Sequence, residues 1–322
     1  MDFYTLKPNF LLKNSSIQTI LASFKPKSLQ KNSSYTNSTL QLIKLKSNYK
    51  LLGYYSENKT NKGFIILLHG WEGSSDSSYV LRTSEYFFEK GYSIFRYNFQ
   101  DHGNTHHLNE GLFHGNLLKE NVEAIESILK NYAGKKQSKY IIGFSLGGNY
   151  AIRIGIELSK KNQFKVNHIF SISPAIDPEN STMKMDSNSF LRKFFLKEWK
   201  NSLLMKQKLF PYIYNFEEDF QSKTIMELTE NVVVKYSNYS SAKEYFNAYK
   251  IKNQNLKQLN YPLTIITSKD DPICDYRDLE KIEFNQNYNI LLTNYGGHNG
   301  FFEDLHLNCF YNRYILEKIS TT

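Results

Sequence analysis

Phe64-Ile65-Ile66-Leu67-Leu68, five consecutive apolar residues between a polar turn at 58–63 and the pair His69-Gly70, constrain the fold more than any other feature. A strand that alternates apolar and polar residues can leave one face in water. A run with no polar residue buries both faces, as a central strand of a parallel sheet does. Further strands are expected at 92–97, 140–144, 168–172, 263–267 and 289–293. Helical patterns separate them: one at 78–89 stops at Gly91, and another covers 146–158. A third places Leu118, Val122, Ile125 and Leu129 at spacings of four, three and four, one face of an amphipathic helix. Two further strands are expected within 39–57, ahead of the first apolar run. Strand–helix alternation predicts an α/β protein built on a doubly wound, mostly parallel sheet. From about 174 to 260 the alternation lapses, which reads as a helical cap inserted into a single domain spanning 1–322. A last helix is expected at about 305–319.

Composition narrows the classes of function. The hydrophobic fraction of 40% and aromatic fraction of 15% supply a sizeable core, against general disorder. The net charge of +9 invites a nucleic-acid reading, but the lysines are spread along the whole chain and no basic module accompanies them. No nucleic-acid partner is expected. Two cysteines, Cys274 and Cys309, give no disulfide framework and fit a reducing compartment. Asp2 and Lys7 interrupt the first ten residues, so no secretory leader is expected. The apolar runs fall far short of the ~20 residues that span a bilayer. A cytoplasmic location is the expectation.

Gly143-Phe144-Ser145-Leu146-Gly147 fits G-x-S-x-G directly after an apolar run and directly before a helical pattern, the setting of a nucleophile elbow. So tight a turn needs small flanking residues, and it lifts the Ser145 hydroxyl above the sheet. Such an elbow takes its oxyanion donors from the residue after the nucleophile and from the loop after an earlier strand. Here those are the N–H groups of Leu146 and of Trp71, in His69-Gly70-Trp71-Glu72-Gly73. His69 itself reads as a buried brace of that loop. A serine hydroxyl is a poor nucleophile near neutral pH and needs a base. Of eight histidines, His298 alone lies in a glycine-flanked strand-end loop, Tyr295-Gly296-Gly297-His298-Asn299-Gly300. Asp270 and Asp271 follow the run at 263–267, so the chain order Ser, Asp, His matches the triad order of this architecture.

Other motifs read as structural. Gly103-Asn104 breaks the helix that His102 and His106 would need to share a metal, so the loop carrying His102, His106 and His107, with His114 beyond, reads as the rim of the active site. No metal or cofactor is expected. Leu191, Phe195, Trp199 and Leu203 recur every four residues among Arg192, Lys193, Lys197 and Lys200, a basic amphipathic helix. Packing on the body or roofing the site is the first reading of its apolar face, and weak contact with a membrane surface the second. Ser241-Ala242-Lys243-Glu244 is a capping box.

These motifs resemble the YheT-like branch of the α/β-hydrolase fold family, whose eukaryotic relatives act as lipases and phospholipases on acyl esters. Asn14-Ser15-Ser16-Ile17-Gln18-Thr19-Ile20 is similar to that family's N-terminal Gln-Thr-Ile segment, with Ser16 where a histidine is usual. His69-Gly70-Trp71-Glu72-Gly73-Ser74 resembles its oxyanion loop, and 143–149 its elbow. Asp270-Asp271-Pro272 resembles its acid loop, and Pro272-Ile273 makes Asp271 rather than Asp270 the acid. His298 corresponds to the family's catalytic histidine. Phe99-Gln100-Asp101-His102-Gly103 replaces the family's Arg-Gly-Cys pattern, the mark of a sub-branch. The resemblance implies an α/β-hydrolase fold and a serine hydrolase that cleaves carboxylic esters, lipid-like acyl esters among them, through an acyl-serine intermediate. A thioesterase or amidase would use the same triad, and a non-catalytic peripheral membrane-binding protein could use the same fold. The expected partner is a small or lipid-like ester, with no obligate protein partner.

Overall fold

The computed structural model describes residues 2–24, 26–283 and 287–320. The chain opens with strand β1 (Asp2–Tyr4), helix α1 (Ser15–Ser23) and the short α2 (Ser33–Thr36). Strands β2 (Ser38–Lys44) and β3 (Lys50–Ser56) form a hairpin. The alternation then runs β4 (Gly63–Leu68), α3 (Ser78–Phe88), β5 (Tyr92–Asn98), α4 (Leu118–Tyr132), β6 (Lys139–Phe144), α5 (Leu146–Lys161) and β7 (His168–Ile172). Five helices follow before the next strand: α6 (Pro178–Ser187), α7 (Ser189–Leu209), α8 (Ile225–Tyr236), α9 (Ala242–Tyr249) and α10 (Asn253–Leu256). The chain closes with β8 (Leu263–Ser268), α11 (Arg277–Glu280), β9 (Tyr288–Thr293) and α12 (Phe310–Ser320).

Among the described residues the strands make one nine-stranded sheet in the order β1-β9-β8-β7-β6-β4-β5-β3-β2. Pairing is parallel from β1 through β5 in that order, and antiparallel only where β3 meets β5 and β2 meets β3. Every residue of β4, β6, β7 and β8 is buried, as their lack of an alternating polar face requires. α5, which follows the elbow, is buried along most of its length against β6 and β7. The catalytic candidates all follow strand ends on one side of this sheet: Trp71 after β4, Ser145 after β6, Asp271 after β8 and His298 after β9. This is the crevice at the carboxyl ends of parallel strands where open α/β sheets bind ligands.

The last helix begins at Phe310, not near Leu305 as its apolar pattern suggested. Asp304 accepts hydrogen bonds from the Asn308 backbone and side chain, and Leu307 adopts a left-handed φ of 61°. That turn returns the chain to a Phe302–Cys309 bridge before the helix can start. At the Ser241 capping box, Ser241 Oγ accepts from Glu244 N at 3.2 Å, while the Glu244 carboxylate reaches back to Ser240 N.

Candidate active site

Ser145 sits between β6 and α5 with φ 55°, a left-handed conformation that a serine holds only where its surroundings impose it. The glycines around it are required by close contact. A Cβ on Gly143 would lie 2.1 Å from the Gly147 carbonyl, and one on Gly147 would lie 2.4 Å from the carbonyls of Leu68 and His69. The elbow is therefore wedged against the end of β4, which brings the loop after β4 beside Ser145. A Cβ on Gly70 would stand 3.0 Å from Ser145 Cβ.

That loop is held from three sides. Tyr79 Oη accepts from Gly70 N at 2.8 Å. His69, fully buried, bonds the Gly70 carbonyl through Nδ1 at 2.7 Å and accepts from Phe99 N through Nε2 at 3.1 Å. His102 repeats this one residue further out, its Nδ1 on the Gln100 carbonyl and its Nε2 accepting from Glu72 N. In both rings the accepting Nε2 fixes the proton on Nδ1. These histidines are braces, and the His102 loop lies against the loop after β4. Trp71, between them, stacks on Phe195 with ring centroids 5.5 Å apart and meets Trp199 edge-on at 5.3 Å. The apolar face Leu191, Phe195, Trp199 and Leu203 of α7 thus turns inward. Leu146 N is the first N–H of α5 and has no carbonyl within its helix to bond. Neither it nor Trp71 N has an acceptor among the described residues.

The two remaining loops meet each other. His298 Nδ1 lies 3.0 Å from Asp271 Oδ2 and 3.1 Å from Oδ1, and both side chains are buried. Asp271 Oδ1 also accepts from the N–H groups of Ile273 and Cys274, at 2.8 and 2.9 Å. Asp270 does something else. Its Oδ1 accepts from Gly297 N at 3.0 Å, bracing the histidine loop, and burial pushes its carboxyl above the usual aspartate range. Among the described residues, no hydrogen bond joins the Ser145 hydroxyl to His298. The structure pairs Asp271 with His298 directly, and Ser145 and His298 line the same cavity. That cavity, about 790 Å³, is also lined by Trp71, Leu146 and a mainly apolar set from α6 to α9. Asp271, Cys274 and His298 offer ligand atoms within 4.8 Å of one another. Burial holds the Cys274 thiol well above its usual pKa, which opposes the thiolate that metals bind.

Three supporting residues escape a reading of the sequence. Lys206, fully buried on α7, donates to Asp101 Oδ1 at 2.9 Å and to the carbonyls of His106 and Asn109. Gln18 and Thr19 of α1 reach the histidine loop from the other end of the chain. For the latter pair, the similarity of 14–20 to a family segment was the available signal.

A parallel sheet with a serine elbow, and acid and histidine loops in that chain order, defines an α/β-hydrolase. The chain belongs to the family described as Serine aminopeptidase, S33, whose model matches residues 59–290. It is 23% identical over 252 residues to the phospholipase ABHD3 of Bos taurus, covering 75% of this chain and 59% of that protein. With the monoacylglycerol lipase ABHD2 of Danio rerio it shares 25% identity over 179 residues, 51% of this chain and 42% of the relative. The chain therefore spans roughly half the length of the curated relatives it matches. Among solved structures, the Pyrococcus furiosus esterase Pf2001 has a TM-score of 0.59 at 16% identity, over 100% of this chain and 99% of that one. Est1E of Butyrivibrio proteoclasticus, with ferulic acid bound, has a TM-score of 0.55 at 17% identity, over 87% and 99%. These structures share the fold. No helix among the described residues is long and apolar enough to cross a membrane.

Proposed function

We propose that the protein is a carboxylic-ester hydrolase working through an acyl-serine intermediate, with Ser145 as nucleophile, His298 as general base and Asp271 as the group that orients the imidazole. One observation carries the reading: His298 is paired with the Asp271 carboxylate on the wall of the cavity that Ser145 also lines. In this account the imidazole takes the Ser145 proton as the hydroxyl attacks the ester carbonyl. The Asp271 carboxylate stabilises the imidazolium that forms. Charge building on the carbonyl oxygen meets the N–H groups of Trp71 and Leu146, each worth about 3 kcal/mol in comparable sites. The imidazolium then protonates the leaving alcohol, and water activated by the same base releases the acid.

The apolar lining, with Phe195, Trp199, Ile225, Val232 and Phe246, suits an acyl chain. Relatives named phospholipase and monoacylglycerol lipase support that substrate class. We read residues 174–260 as a cap on a single domain, and the motifs as those of the YheT-like branch. Phe190 and Phe194 on α7, with Ile20 on α1 and Phe24 just after it, are exposed apolar residues lining the same cavity, and Lys193 and Lys197 are exposed beside the first two. That combination suits weak contact with an anionic lipid surface, read out by vesicle sedimentation. Two free buried cysteines fit a reducing, cytoplasmic setting.

The test is a panel of p-nitrophenyl esters of graded chain length. Each buried methylene is worth about 0.8 kcal/mol, so kcat/KM should rise roughly fourfold per carbon and fall where the pocket ends. Steady preference for acetate would remove the lipid-like reading. Glu72 and Glu198 also line the cavity and could meet a substrate ammonium group. Faster cleavage of an aminoacyl anilide than of any ester would make the protein an amidase on the same triad.

A further inference from the structure

The loop that carries His298 is held in a conformation it would not keep alone. Gly297, Asn299 and Phe301 have φ values of 54°, 65° and 47°, so alternate residues lie in the left-handed region. Asparagine tolerates that region; phenylalanine strongly avoids it. Such a backbone persists only where neighbours over-determine it. Asp270 supplies one restraint through Gly297 N, and Ser173 Oγ accepts from Asn299 N at 3.4 Å. Ser268 Oγ donates to the Gly297 carbonyl at 3.1 Å, and Phe310 N to the Phe301 carbonyl at 2.8 Å. Further restraints come from α1, about 280 residues earlier in the chain.

Thr19 Oγ1 accepts from His298 N at 2.9 Å, and its own hydroxyl donates to the Ser15 carbonyl at 2.8 Å. The histidine backbone is thereby tied to the first turn of α1 through one side chain. Gln18 is fully buried, and both polar atoms of its amide are bonded. Oε1 accepts from Phe302 N at 2.9 Å, while Nε2 donates to the carbonyls of Phe302 and Leu12 at 3.2 and 2.8 Å. An N–H facing Oε1 and carbonyls facing Nε2 allow only one orientation of the amide. The glycines of the loop make room for this helix. A Cβ on Gly297 would lie 2.5 Å from the Ser15 carbonyl, and one on Gly300 would lie 2.6 Å from Gln18 Oε1.

We propose that Gln18 and Thr19 are positioning residues for His298, holding the imidazole in line between Asp271 and Ser145. The proposal rests on the reading of His298 as general base. Both the helix and the histidine loop lie outside residues 59–290, the range that the family model matches. A buried amide costs stability unless every polar atom is bonded, and an apolar side chain would fill the same space without that cost. Gln18 serves where the loop needs both a donor and an acceptor. If the clamp is loosened, the loop drifts and the imidazole leaves the geometry that proton transfer demands. A misplacement near 1 Å can cost about a hundredfold in rate.

Thr19→Val keeps the shape of the side chain and the cavity wall but removes the acceptor; Thr19→Ser keeps the acceptor. On the best p-nitrophenyl ester, Thr19→Val should lower kcat at least about tenfold with KM within about twofold, and Thr19→Ser should restore most of it. In a His298→Ala background, Thr19→Val should have no further effect on the residual rate, because it acts only through the imidazole. Gln18→Leu should behave as Thr19→Val does; if it fails to fold, the Thr19 pair still decides. A wild-type kcat in Thr19→Val would overturn the proposal, as would an equal loss in the His298→Ala background. Full activity in Ser145→Ala would defeat the reading of the site, and this proposal with it. Loss in Ser145→Ala beside normal turnover in Thr19→Val would defeat the proposal alone.

Discussion

The Asp271 carboxylate holds His298 Nδ1 at 3.0 Å while one of its oxygens is fixed by the N–H groups of Ile273 and Cys274. A carboxylate with one oxygen fixed by two N–H groups can hold one tautomer of the imidazole. Its neighbour Asp270 points to Gly297 N. Adjacent acids of the same type therefore have separable roles. Asp271→Asn should lower kcat by roughly 10⁴, since the wrong tautomer then faces the serine. Asp270→Asn keeps an acceptor for Gly297 N and should cost far less. Steady-state kinetics of both variants check this, and the reverse ranking would put the acid one residue earlier.

The buried Lys206–Asp101 pair, 2.9 Å apart, ties α7 to the loop after β5. Burial draws the Lys206 ammonium below its usual pKa and pushes the Asp101 carboxyl up, each opposed by the other's charge. Breaking such a pair leaves one charge buried, at a cost of about 3–5 kcal/mol, whereas removing both is far milder. Urea unfolding of Lys206→Met should show a loss of that size, and Lys206→Met with Asp101→Asn should recover part of it. Asparagine is chosen because residue 101 has a φ of 57°, which it tolerates. Additive losses would mean that the two residues act independently.

The parts of this fold legible in the sequence are those where burial writes a pattern. The unbroken apolar run became β4 and the largely apolar segments β6, β7 and β8, all fully buried, and the glycines at 143 and 147 mark a turn with no room for a Cβ. What stayed hidden depends on partners far along the chain. Strand β1 is three exposed residues whose only reason to be a strand is pairing with β9. Lys206 sits in a helix dense in lysine and reads there as solvated, yet it is fully buried because Asp101 meets it. The last helix starts late because Asp304 and Asn308 form a local turn that apolar periodicity does not register. Gln18 and Thr19 look like ordinary polar residues of a short helix until the histidine loop is packed on them.

Active-site labelling decides whether Ser145 is an activated nucleophile. Wild-type protein treated with a fluorophosphonate should gain one covalent adduct, located on Ser145 by peptide mass spectrometry. His298→Ala should label much more slowly for want of the base, and Ser145→Ala should not label at all. Equal labelling of wild type and Ser145→Ala, or an adduct on another residue, would contradict the account.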